Sequence, residues 1–167
     1  MKVYKAPDKV DWYEVAKRKS VFLAGGITDC DDWQADLIEE LQNLNDSGLF
    51  DLGGLIIFNP RRDNFDVMDM EVKIEQIRWE HKCLEKCDIC SFFFPESVSV
   101  QPITFYELGR YLRKYNSVVS IQEGYKRAED VKIQLALDGN CCGIYYFYKE
   151  AIREHARALA ITYDNMR

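Results

Sequence analysis

Two runs decide the fold: Ile89-Cys90-Ser91-Phe92-Phe93-Phe94 and, after a short polar stretch, Gln101-Pro102-Ile103-Thr104-Phe105-Tyr106-Glu107-Leu108-Gly109. The first is almost wholly apolar, as a strand covered on both faces must be. The second opens a helical pattern that continues to about Tyr115. Strand, loop and helix in that order place Gln101 to Glu107 at the carboxyl end of a sheet strand, where ligands bind in open α/β sheets. Thr104 suits the helix N-cap and Glu107 follows three residues later, so the pair can close a capping box. Glu107 is therefore either a cap or a group facing a ligand.

Working outward, Val21 to Ala24, Leu55 to Phe58, Ser117 to Ile121 and Cys142 to Phe147 read as further strands, giving five. Helical spacing links them. Asp31 and Asp32 cap a helix carrying Trp33, Leu37, Leu41 and Leu44. Residues 70–87 carry Met70, Ile74, Ile77, His81 and Leu84 down one face, and Lys149 to Ala160 closes the chain. Residues 125–137 are ambiguous: Val131, Ile133, Leu135 and Leu137 alternate like a strand, while Ala128-Glu129-Asp130 reads as a helix start. Alternating strands and helices predict an α/β fold, a doubly wound, mostly parallel five-stranded sheet with helices on both faces, Rossmann-like or flavodoxin-like. Residues 1–20 read as an N-terminal extension and 21–167 as a single domain.

The chain has 167 residues, 47% hydrophobic and 30% charged, with a net charge of −6. That is the profile of a soluble globular domain with a sizeable core. Its acidity argues against a nucleic-acid duplex as partner. No apolar run is long enough for a bilayer, and the amino terminus lacks a signal-peptide core. A cytoplasmic setting and six reduced cysteines are expected.

Three loops at strand carboxyl ends converge. Gly25-Gly26 allows a close approach of backbone to ligand, although a tight turn alone would explain it. Trp33, in the next helical turn, is either core or pocket wall. Arg61 and Arg62 could grip a phosphate or carboxylate by forked hydrogen bonds, or simply pair with Asp63 and Asp66 in solvent. Glu80 borders the apolar face of its helix, pointing either to the surface or into the cleft. His81, Cys83, Cys87 and Cys90 invite a zinc reading, which is rejected because Cys87 and Cys90 straddle a helix end and a strand start, so that their thiols should point apart, and no second pair completes four ligands. No metal and no cofactor are expected. With two histidines and no Gly-x-Ser-x-Gly elbow, no rival nucleophile signature stands out.

The pattern Val21-Phe22-Leu23-Ala24-Gly25-Gly26, then Glu80, Asp88 and Glu107-Leu108-Gly109, resembles the nucleoside 2-deoxyribosyltransferase family. The resemblance implies that Glu107 is the nucleophile attacking the anomeric carbon of a 2′-deoxynucleoside, and that Glu80 contacts the leaving base and relays its proton. It implies that Phe22, Gly25 and Gly26 line the sugar and that Gln101 stands where relatives carry Asp or Ser near a sugar oxygen. Thr104, Trp33 and Arg61 complete the expected binding set. Asp130 matches a residue lent across a subunit interface, which implies a homo-oligomer, while the aromatic that closes the pocket has a loose counterpart in Tyr163. The implied reaction is ping-pong exchange of nucleobases; relatives pass the sugar to water instead, as nucleoside or nucleotide N-glycosidases. A nucleotide-binding module without catalysis is the alternative of a different class.

Overall fold

The computed structural model describes residues 1–63, 68–113 and 116–167. Twelve elements alternate along the chain: β1 (Lys2–Lys5), α1 (Trp12–Val15), β2 (Ser20–Gly25), α2 (Trp33–Asp46), β3 (Ile56–Asn59), α3 (Met70–Lys86), β4 (Ile89–Phe94), α4 (Pro102–Tyr111), β5 (Asn116–Gln122), α5 (Ala128–Leu137), β6 (Gly143–Tyr145) and α6 (Tyr148–Asp164). The described strands form one parallel sheet in the order β1-β3-β2-β4-β5-β6. The expected α/β architecture is present, with six strands rather than five. The additional one is β1, whose residues Lys2 to Lys5 pair with Ile56 to Asn59 of β3.

Side chains of the central strands alternate between two cores, as the pleat requires. Phe22, Ala24, Phe58, Phe92 and Phe94 pack with Leu84 of α3, Leu108 of α4 and Val131 of α5 on one face. Val21, Leu23, Ile57 and Phe93 pack with Leu37 and Leu41 of α2 and Ala156 and Leu159 of α6 on the other. The second face also holds His155, fully buried, whose Nε2 lies 2.7 Å from Ser91 Oγ and whose Nδ1 lies 2.8 Å from Ser120 Oγ. Burial alone depresses its pKa to about 3, so the imidazole is neutral and ties α6 to two strands.

Four local expectations are corrected. The ambiguous stretch is helix α5: Val131 and Leu135 are buried, but Ile133 and Leu137 are 54% and 78% exposed. An i, i+4 pair therefore reaches the core, and the apparent alternation has no sheet to serve. The last strand is shorter than Cys142 to Phe147, because Phe147 caps α6. Thr104 is not the N-cap of α4. Gln101 holds that position in the left-handed conformation (φ 49°, ψ 55°), Pro102 begins the helix, and no side chain caps it. On α3 the face turned inward carries Gln76, Cys83 and Leu84, while Met70 and Ile77 are 63% and 56% exposed. Tyr115 at the expected end of α4, and Asp66 beside the arginine loop, lie outside the described residues. Among those residues, no helix is long and apolar enough to cross a membrane.

The connections set the position of the site. From β2 the chain passes through α2 to β3 on one side, then returns through α3 to β4 on the other side of β2. The neighbours β2 and β4 are thus the switch point of the sheet. The loops leaving their carboxyl ends diverge there and leave a crevice.

Candidate active site

A cavity of about 530 Å³ opens at that crevice. Phe22, Ala24, Gly25 and Gly26 come from β2 and its loop, Pro60 and Arg62 from the loop after β3, and Gln76, Glu80 and Leu84 from α3. Gln101, Thr104, Glu107, Arg110 and Tyr111 close it from the α4 side.

The floor requires glycine. A Cβ on Gly25 would lie 2.3 Å from the Phe93 carbonyl oxygen and 2.5 Å from Trp33 Cζ2, both in the packed interior. A Cβ on Gly26 would meet the Gln101 side-chain amide at 2.8 Å. Trp33 is fully buried and its Nε1 donates to the Gly26 carbonyl at 2.8 Å. It supports the loop from beneath. Gly25→Ala is accordingly expected to destabilise the fold by about 2–4 kcal/mol, read as a lower urea midpoint at unchanged slope. A midpoint equal to wild type would show that the loop can shift to accept the methyl group.

Glu80 and Glu107 share the cavity, and no cation contributes to the titration of either. Burial pushes the Glu107 carboxyl up to about 8, and the neighbouring charge of Glu80 adds to the shift. Burial also raises Glu80, opposed by an N–H from Gln76. With Glu107 pushed up in this way by burial and by its neighbour's charge, the two carboxyls do not both ionise fully at neutral pH. Nor does the helix terminus hold Glu107 ionised. That residue lies beyond the first turn of α4, and the dipole fades within that turn.

Phe22, Gly25, Gly26, Gln101, Thr104, Glu80 and Glu107 are thus brought together on one cavity. Three of the expected site residues are elsewhere. Trp33 packs under the loop. Arg61 donates to Gln34 Oε1 at 2.9 Å and to the Asp31 carbonyl at 2.8 Å, and pairs with Asp32 at 3.1 Å. The arginine that lines the cavity is Arg62, which also holds Glu75 at 2.8 Å. Asp130, in the first turn of α5, pairs with Arg127 at 2.7 Å and does not line the cavity. Tyr163 packs in the α2–α6 core. The cavity adds Lys73, Gln76, His81, Tyr106 and Arg110. Helical spacing from Glu80 and Glu107 signals Lys73, Gln76 and Arg110 once the inward face is known, whereas His81 and Tyr106 are immediate neighbours of the two glutamates and carry no such signal. The Cys87 and Cys90 thiols do not point apart but lie 3.6 Å from each other in the core. No group of three His, Cys, Asp or Glu among the described residues is arranged to hold a metal.

The family model described as nucleoside 2-deoxyribosyltransferase like matches residues 18–125, more than half of the chain and every element that contributes to the cavity. The chain belongs to that family. No curated protein matches it. As a nucleoside 2-deoxyribosyltransferase-like protein, it carries its Glu-Leu-Gly turn inside α4, with Leu108 in the core and Gly109 on the outer surface. That geometry directs Glu107 toward the cavity while its neighbour anchors the helix.

Proposed function

We propose that the protein cleaves the N-glycosidic bond of 2′-deoxynucleosides and transfers the deoxyribosyl group to a second base. The observation that carries this is the pairing of Glu107 with Glu80 in one desolvated cavity at the switch point of the sheet. The pair holds a proton at neutral pH. Reaction starts from the arrangement with that proton on Glu80. The Glu107 carboxylate then bonds to the anomeric carbon as the C–N bond breaks, and the departing base takes the Glu80 proton. The resulting ester is resolved by a second base, which returns a proton to Glu80. Asp130 enters this scheme only through a second copy of the chain, as a residue lent across an interface.

A second reading has its own support. Arg62, Lys73 and Arg110 line the same cavity, and cations there suit a phosphate. This favours hydrolysis of a nucleoside 5′-monophosphate. Incubation with deoxyinosine, with and without adenine, separates the two. Transfer produces deoxyadenosine only when adenine is present. Release of deoxyribose phosphate from a monophosphate, with no exchange on nucleosides, would replace the first reading by the second. Thermal stabilisation by nucleosides without any turnover would leave a binding module.

A further inference from the structure

Gln76 plays no part in the scheme above, yet it is buried on the cavity wall and hydrogen-bonded to Glu80. It lies four residues before Glu80 on α3 and is 5% exposed. Its Nε2 donates to the Pro60 carbonyl at 2.7 Å and to Glu80 Oε1 at 2.8 Å. Both amide hydrogens are thereby committed to acceptors, which fixes which end of the amide is which. The carbonyl Oε1 is left buried, with no hydrogen-bond partner among the described residues. An orphaned buried acceptor is unfavourable, and an apolar side chain of the same size would avoid it. Packing therefore does not explain glutamine here; its two acceptors, the Pro60 carbonyl and Glu80, do.

We infer that Gln76 is a positioning residue for glycosidic cleavage: its N–H holds the Glu80 carboxyl toward the departing base and stabilises the carboxylate left once the proton has gone. The inference rests on the reaction proposed above. In that step the electron pair of the C–N bond goes to the base nitrogen, which binds the Glu80 proton, and the new bond joins Glu107 to the anomeric carbon. Negative charge thus passes from Glu107 to Glu80, where the amide hydrogen already waits, so the donor is preorganised for the transition state. The same amide, through Pro60, ties α3 to the loop carrying Arg62. The other titratable or charged groups on the cavity are Arg62 from that loop, Lys73 and His81 from α3, and Tyr106, Glu107, Arg110 and Tyr111 from α4.

The test compares Gln76→Leu with wild type on two substrates. Deoxyinosine needs its base protonated, whereas N7-methylated deoxyguanosine carries a cationic base that departs neutral. The variant is expected to lose about tenfold to a hundredfold in kcat/KM on deoxyinosine, the range of a general-acid contribution, and less than about threefold on the methylated substrate. The acid limb of its deoxyinosine pH profile should move to higher pH, because Glu80 without its donor takes up a proton more readily. Equal losses on both substrates, or an unmoved profile, would reduce Gln76 to a structural role. Gln76→Met, of similar length and without a donor or a titrating group, gives the same comparison if the leucine variant does not fold. Wild type that turns over neither substrate would instead overturn the reaction itself.

Discussion

Glu107→Gln is expected to lower kcat/KM by at least about a thousandfold and, at alkaline pH, to make the protein more stable. Both effects come from one placement. Glu107 is held in a site that disfavours its charge, with its carboxyl near 8 instead of the usual 4.5. Between those values the unfolded chain releases the proton and the folded chain retains it, so stability falls as pH rises through that window. Glutamine removes the ionisation and with it the loss. Allowing for partial exposure to solvent, the variant should gain about 1–3 kcal/mol at pH 8 and almost nothing at pH 5. Melting curves of both proteins at the two pH values check this, and parallel curves would mean that Glu107 is well solvated. Intact mass after mixing with a 2-fluoro-2-deoxynucleoside checks the chemistry. A pentosyl adduct should form on wild type and be absent from the variant. An adduct that survives the substitution would place the nucleophile elsewhere.

The second large effect lies on the opposite face of the sheet. His155 is neutral in the fold, with a pKa near 3 against an ordinary 6.5. Below 6.5 the unfolded chain gains a proton that the folded chain does not, so this group removes stability as pH falls, by up to about 1.4 kcal/mol per pH unit until pH 3. His155→Gln should be less stable at pH 7, since a less rigid amide must span Ser91 and Ser120. It should also lack the acid slope. The informative quantity is the difference between the two unfolding free energies from pH 7 to pH 4. The carboxylates, including Glu107 with its opposite dependence, cancel in that difference. A difference that does not change with pH would mean that His155 can charge inside the fold.

The strands were legible because a strand buried on both faces is apolar over nearly its whole length, as Ile89 to Phe94 is apart from Ser91. The Gly25-Gly26 loop and Glu107 were legible for a related reason: the first follows such a strand directly, the second lies in the helix after the next loop, and the family pattern runs through both. Arg61 and Arg62 were not separable by this route. They are adjacent, and the difference arises from Asp31, Asp32 and Gln34, which α2 brings to Arg61 and not to its neighbour. Lys2 to Lys5 read as no more than a short extended piece because an edge strand keeps one side in water, so the place of β1 in the sheet comes only from its pairing with β3.

By itself the sequence determined the alternation of strands and helices, the two-faced core and the place of Glu107 in the helix that follows the central strand, since each depends on spacing within one short segment. The tertiary structure decided the rotation of α3, which turns Gln76 and Glu80 inward, sets the half-exposed Ile77 at the cavity and leaves Met70 in solvent. It also decided that burial and the charge of Glu80 raise the Glu107 carboxyl. Helix rotation and carboxyl ionisation depend on which distant segments exclude water from a side chain, and spacing along one segment carries no record of that.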